Sequence, residues 1–290
     1  MPCRPARPAD LPGIHALLAG LRAFPGATDA RAVELRLWAV WKQTGWSPLN
    51  QVVAVEGDRV LGSICFFPAG ERGAAVEPPR HLKEVDGAAF VREALDALRG
   101  RFAYVQAVLE EESAVLRDGG MPVVSTLLML EREAGPEDAG IAPEAGLVWL
   151  PYSGTEPARF EETIRRTLEG SKDVPAVQGA LPASEMLAAY RPKGKEVPAR
   201  WWLAEAGGEA VGCLLLNAEG ETLELKYMGV VPEERGKRLG RALVRKAIQE
   251  GRGFKRIAVT VDEANGAAKA IYLAHGFRVA GRKRLHFAML

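Results

Sequence analysis

From Leu223 to Met228 apolar and polar residues alternate, the mark of a strand with one buried face. From Leu239 to Ile248 the positions Leu239, Leu243, Ala247 and Ile248 share one face of a helix instead. Pro232 lies between them and cannot donate to a strand ladder, so the strand ends there. Applied to the second half of the chain, the same patterns predict strands over 147–152, 201–205, 210–217, 222–231, 256–261, 277–281 and 284–290. They predict helices over 157–169, 183–190, 239–250 and 266–274.

The first half repeats this order. Residues 54–65 align with 204–215 at a constant offset, with Gly57 against Gly207 and Gly62 against Gly212. Each copy reads as a strand, a glycine turn and a second strand, a hairpin signal. Further on, 109–121 resembles 265–277 at nearly the same offset, and an apolar strand pattern succeeds each. Two matches in one order favour a duplication over chance. Between the copies, 133–146 is rich in Gly, Pro and acid and lacks a hydrophobic period, so it reads as a linker. The expectation is an α/β (α+β) chain of two domains, 1–132 and 147–290. Each is a mixed, mostly antiparallel sheet with helices on both faces.

Chemistry concentrates at the corner after Met228. The run Met228-Gly-Val-Val-Pro-Glu-Glu-Arg235-Gly236-Lys237-Arg238-Leu-Gly240-Arg241 is the end of a strand, a basic turn and the start of a helix. A helix start exposes unpaired N–H groups and the positive end of a dipole, which suits an anion. Gly236 and Gly240 allow close backbone approach, while Arg235, Lys237, Arg238 and Arg241 add charge. The competing reading is an ordinary corner with solvated cations.

Residues further along the chain decide between the two. Asn265, Ala268, Tyr272, Gly276 and Phe277 come about thirty residues after Arg235 and Gly240, and in this order and spacing they resemble the GNAT acyl-CoA N-acyltransferases. One departure is visible: the first glycine of that family's turn is Arg238 here. The resemblance implies two tandem GNAT-like domains, arranged as in the mycothiol synthases, with acetyl-CoA as cosubstrate and no metal. It implies a diphosphate at Arg235, Gly236, Lys237, Arg238, Gly240 and Arg241, and pantetheine along the backbone of Met228 and Val230. A splay between that strand and 256–261 would make the slot, and Asn265 would contact the cofactor arm. It also implies that Tyr272 gives a proton to the departing thiolate; the alternative is a tyrosine packed in the core.

An alkylamine with a pKa near 10.4 is protonated at pH 7, and freeing its lone pair costs about 4.6 kcal/mol, so a base is needed. Glu224 is the candidate, four residues before a bulge expected at Met228–Gly229. A structural pair of Glu224 with Lys226, or with an arginine of a helix, is the alternative. Asp262 and His286 are weaker candidates for proton handling.

At the turn the halves differ. At the hairpin's offset Val85 stands against Arg235, Ala88 against Arg238 and Phe90 against Gly240, while Leu109 stands against Asn265 and Leu116 against Tyr272. The first domain therefore reads as degenerate, a scaffold or a wall of the substrate cleft.

Composition changes little. The chain has 290 residues, 48% hydrophobic and 26% charged, which fits packed domains and not disorder. A net charge of +1 gives no reason to expect nucleic acid or an anionic membrane. The three cysteines sit apart in sequence and read as free thiols of a reducing compartment. With no signal-like start and no long apolar run, a cytoplasmic monomer or homodimer is expected. The functional expectation is acetyl transfer from acetyl-CoA to the primary amine of a small-molecule or peptide acceptor, by direct attack in a ternary complex. The alternatives are an acyl-CoA-binding regulatory protein without turnover, and a tandem that binds no CoA.

Overall fold

A computed structural model describes residues 2–44, 46–135, 146–153, 157–191 and 199–290. The chain divides into two compact units, one of Met1–Val124 with Arg284–Leu290 and one of Ser125–Lys283.

In the first unit the strands are β1 (Cys3–Pro5), β2 (Gln51–Glu56), β3 (Arg59–Ala69), β4 (Gly73–Val76), β5 (Arg80–His81) and β6 (Tyr104–Leu109). Its helices are α1 (Leu11–Gly20), α2 (Ala30–Thr44), α3 (Gly87–Leu98) and α4 (Ala114–Asp118). Alternation along β2 sends Val52 and Ala54 to the α3 side, where Phe90, Val91 and Leu98 are buried. It sends Val53 and Val55 to the other side, against Ile14, Leu18, Val33 and Leu37 of α1 and α2. The pairings are antiparallel except β4 with β6, which is parallel.

In the second unit the sheet runs β8 (Val148–Pro151), β9 (Trp201–Ala206), β10 (Glu209–Glu219), β11 (Thr222–Val230), β12 (Arg256–Asp262) and β7 (Val123–Glu133, from Ser125 on). Only β11 and β12 pair in parallel. Helices α5 (Pro157–Leu168) and α6 (Ala183–Tyr190) cover one face through Phe160, Ile164 and Leu187. Helices α7 (Leu239–Glu250) and α8 (Gly266–Ala274) cover the other through Leu243, Val244, Ala247, Ile248 and Tyr272. Both units are thus mixed, mostly antiparallel sheets with helices on both faces.

The duplication is written into local detail. Gly57 and Gly207 turn the two hairpins at the same φ of 60°. Each hairpin then carries one bulged residue, Leu61 and Val211, at the same place in the repeat.

Two sequence expectations need correction. The strands expected over 277–281 and 284–290 form one strand, β13 (Arg278–Met289). The units also do not divide at 133–146, of which residues 136–145 lie outside the described residues. Instead the last strand of each half crosses over. Residues Arg284–Met289 of β13 pair with β6 in the first unit, and β7 pairs with β12 in the second, from Leu127 opposite Asp262 to Glu133 opposite Arg256. Local alternation predicts that such segments are strands, but it carries no information on which sheet receives them.

Cys3, Cys65 and Cys213 form no disulfide among the described residues. Burial pushes the Cys65 and Cys213 thiols up to about 12, so both stay protonated and inert at neutral pH. No helix among the described residues is long and apolar enough to cross a membrane.

The strand exchange makes a testable assignment of stability. Phe287 is 5% exposed and stacks on Tyr104 at 5.5 Å, while Leu130 is fully buried beside β12. Phe287→Ala is expected to cost about 3–5 kcal/mol and Leu130→Ala about 2–5 kcal/mol. Native-state hydrogen exchange should show Phe287→Ala loosening β2 to β6 and Leu130→Ala loosening β10 to β12. The reverse assignment would contradict the exchange.

Candidate active site

The site begins where β11 and β12 part. Their parallel ladder has Thr222 opposite Arg256, Leu223 opposite Ile257, Glu224 opposite Ala258 and Leu225 opposite Val259, and there it stops. On the other edge of β11, Tyr227 faces Leu215 and Leu225 faces Leu216, so Lys226 is an extra, bulged residue. A bulge bends a strand and increases its twist, and β11 leaves β12 just there. The bulge is thus two residues before the expected position at Met228–Gly229.

Past the bulge β11 stays paired with β10. Val231 N–H donates to Val211 C=O, so alternation along the antiparallel ladder turns the peptide groups of Met228 and Val230 outward. These face the gap left by β12. An extended ligand carrying amides can dock on such an edge as an added strand.

The gap leads to the start of α7. The N-cap position is Arg238, at φ 68° and with no side-chain cap bond. An anion is therefore offered the unpaired N–H groups of the first turn together with the helix dipole. Gly236 also has positive φ, at 78°. Gly240 packs closely on α8: a Cβ there would lie 3.0 Å from Ile271 Cδ1, so that methyl would have to shift. Arg238 and Arg241 are exposed and form no ion pair among the described residues, whereas Lys237 pairs with Glu234 at 2.9 Å. Arg235 is used within the fold: Nε donates to Val230 C=O at 3.1 Å and Nη2 to Thr167 C=O at 2.9 Å. It ties the end of β11 to the last turn of α5.

Tyr272 on α8 is 3% exposed and meets Phe277 edge-on at 5.5 Å. Burial, and then the charge of Asp173, raise its phenol above the usual range. Asn265 caps α8 by accepting from Ala268 N–H at 3.2 Å. Glu224 lies in the laddered part of β11 and pairs closely with Lys226, which also meets Glu219 at 3.2 Å. That ion pair is the structural alternative foreseen for Glu224. His286 lies in the first unit, fully buried, accepting from Ser113 N–H through Nε2 and donating from Nδ1 to Met121 C=O. Its role is structural. Asp262 spends its carboxylate on the N–H groups of Val174 and Ala264.

Sequence reasoning missed Asp173, Tyr190 and Tyr227. Asp173 accepts from Asp262 N–H at 3.0 Å, and the rings of Tyr190 and Tyr227 stack at 6.1 Å. Tyr227 also shares a 2.7 Å hydrogen bond with Thr167. The alternation of β11 contained Tyr227, but Asp173 sits in a connection without periodicity.

The first unit has the same plan without the opening. Its parallel ladder, β4 with β6, also ends, after Ala75 opposite Gln106. There Pro78 and Pro79 interrupt the strand before Arg80 and His81 rejoin β3. Since His81 faces Gly62 as Val230 faces Gly212, Pro79 stands in the place of Met228, and it has no N–H to offer. Helix α3 starts at Gly87 and its N-cap is Asp86, whose carboxylate accepts from Ala89 N–H at 3.0 Å. The counterpart of Arg238 is therefore Asp86, two residues from the Ala88 expected by constant offset, because the turn is shorter. A carboxylate already occupies this helix start. Leu116 does correspond to Tyr272: Met121 N–H bonds to its carbonyl as Phe277 N–H does to that of Tyr272.

Residues 173–277 match the profile of the acetyltransferase (GNAT) family. The second unit carries a GNAT acetyltransferase domain. Members of that family use acetyl-CoA, and the open edge and uncapped helix start fit an extended amide chain ending in a diphosphate. A mycothiol acetyltransferase of Thermobispora bispora is 39% identical over 89 residues, which span 28% of this chain and 30% of that protein. The chain thus matches under a third of that relative's length. Among solved structures, a GCN5-related N-acetyltransferase of Sphaerobacter thermophilus aligns over 99% of this chain and 95% of its own, at 17% identity and a TM-score of 0.56. A tandem GNAT protein from the clavulanic acid biosynthesis pathway aligns over 99% and 98%, at 16% identity and a TM-score of 0.51. The chain has the tandem GNAT fold. Among the described residues no group of three or more His, Cys, Asp or Glu side chains could hold a metal ion.

The left-handed backbone at Arg238 gives a direct test. A non-glycine residue there carries strain of order 1–3 kcal/mol, and glycine relieves it while adding freedom to the unfolded chain. Arg238→Gly should raise stability by up to about 1 kcal/mol, read as a higher denaturant midpoint. Losing a charge-assisted contact of about 1.5–3 kcal/mol should weaken CoA binding at the same time.

Proposed function

We propose that the protein is an N-acetyltransferase that moves the acetyl group of acetyl-CoA to a primary amine by direct attack in a ternary complex, with the chemistry confined to the second unit. One observation carries the reading: the outward peptide edge of Met228 and Val230 leads into the uncapped start of α7, where Arg238 and Arg241 carry no partner among the described residues. The same two features are missing from the first unit, which serves as a scaffold in this reading.

Each residue then has a task. The backbone of Met228 and Val230 orients the pantetheine arm. Gly236, Arg238, Gly240 and Arg241 receive the diphosphate, with Lys237 at its edge. Arg235 positions the turn by holding Val230 and Thr167, and Asn265 fixes the start of α8 so that Tyr272 faces the thioester.

Tyr272 supports departure of the thiolate, and the direction of its shift limits how. A phenol near pKa 10 is already a weaker acid than a thiol near 8.5, by about 2 kcal/mol. Burial widens that gap. Full transfer of the phenolic proton is uphill, so Tyr272 acts by donating a hydrogen bond to the sulfur as its charge grows.

Calorimetry with CoA should find one site per chain, and two equivalent sites would remove the distinction between the units. Tyr272→Phe should leave acetyl-CoA affinity nearly unchanged. It should lower turnover at saturating acetyl-CoA by about 10²-fold, the low end for a positioned proton donor. Normal turnover in that variant would reduce Tyr272 to a packing residue.

A further inference from the structure

With Glu224 held by Lys226, the amine still needs a base. Asp173 lies in the connection between α5 and α6, accessible to solvent as a residue but with its carboxylate crowded into a reciprocal clasp. Its carboxylate accepts from Asp262 N–H at 3.0 Å and from the Asn265 side chain, while Asp262 accepts from Val174 N–H at 3.1 Å. The clasp fastens Asp173 to the last residue of β12, three residues beyond the end of the parallel ladder at Val259.

Two features call for a ligand. Asp173 pairs with no cation among the described residues, although a second carboxylate, Asp262, lies against it. Two like charges so placed repel each other until something positive arrives. Beside it, Tyr272 is 97% buried (3% exposed), and its hydroxyl forms no hydrogen bond among the described residues. Asp262 and Asn265 at the β12–α8 corner touch Asp173, and Tyr272 on α8, Tyr190 on α6 and Tyr227 on β11 lie within reach of its charge. Its charge acts on all three phenols. An anion beside stacked aromatic rings is a chemical match for an alkylammonium ion.

We propose that Asp173 receives the acceptor as a primary alkylammonium ion beside the Tyr190–Tyr227 stack and takes its proton. This rests on the acetyltransferase reading and names the acceptor class and the base. One proton passes from R–NH3+ to the Asp173 carboxylate. The freed lone pair forms the C–N bond to the thioester carbonyl carbon, and the C–S bond breaks with its electron pair going to sulfur. The sulfur ends as a thiol with the second nitrogen proton, the amide keeps the third, and Asp173 releases the first to solvent.

Burial raises the Asp173 pKa, with the neighbouring Asp262 adding to the rise. The raised folded value means that between the unfolded and folded pKa values the unfolded chain binds fewer protons. Stability therefore falls as pH rises through that window and stays lower above it. Removing the charge should stabilise the protein at neutral pH, which a merely structural carboxylate would not do.

The test begins with calorimetry of CoA on the full chain. If wild type does not bind CoA, the acetyltransferase reading fails before this inference is reached. Thiol release from acetyl-CoA is then measured with propylamine, phenethylamine and 1,4-diaminobutane. Asp173→Asn should bind CoA normally and melt no lower than wild type at neutral pH, yet transfer about 10²–10⁴-fold more slowly. Asp173→Glu should recover part of the rate. The acid limb of the wild-type kcat/KM profile should lie above the ordinary carboxylate value of about 3.9 and disappear in Asp173→Asn. Wild-type rates in Asp173→Asn would overturn the proposal, as would losses of stability and CoA affinity that match the loss of rate. A wild type that binds CoA but acetylates none of the three amines would overturn the acceptor class.

Discussion

β11 and β12 share four rungs of a parallel ladder and then separate, although both continue as strands. Leaving backbone groups without partners costs about 1–3 kcal/mol each when they are buried, so the gap persists only if each strand is held from outside. β11 is held by β10 as far as the Val231–Val211 hydrogen bond. β12 is held by β7 as far as Asp262. The bulge at Lys226 supplies the bend that separates them, and Arg235 secures the free end of β11 to α5. The amide edge, the helix start beyond it and the clasp at Asp173 all take their positions from this one separation.

The first unit shows how the same scaffold looks when that separation is not used. Two prolines replace the outward amide edge, an aspartate caps the helix that would face a diphosphate, and a leucine stands where the second unit has Tyr272. None of these changes disturbs the core, because they lie at strand ends and helix caps and leave the buried faces of β2, β3 and α3 intact. Fold and site diverge separately when they depend on different residues.

The same division explains how much could be read from the sequence. Helices α6, α7 and α8 were legible because apolar period and chain breaks are local signals. The basic turn was legible because it joins a strand end, glycines and charge within fourteen residues. The exchange of β7 and β13 was not legible, since pairing across the whole chain leaves no mark on either strand. Nor was the fate of Glu224 and Asp173. A carboxylate two residues from a lysine on a strand face reads equally well as a base or as half of an ion pair, and only side-chain geometry separates the two. Asp173 sits beside Lys172 in an irregular connection, and its partners Asp262 and Asn265 lie about ninety residues away.

The second unit also keeps two unfavourable local features. Arg238 is held in a left-handed backbone that its family fills with glycine, and Asp173 keeps a charge with no cation beside it among the described residues. Neither helps the fold: strain at the first and repulsion from Asp262 at the second both oppose it. They persist because the cores on the two faces of the sheet, from Leu243 and Ile248 on one side to Ile164 and Trp201 on the other, over-determine the backbone around them. The first unit has a capped helix in place of the arginine. Local strain retained in one copy of a duplicated fold and relieved in the other is expected when the two copies are held to different tasks.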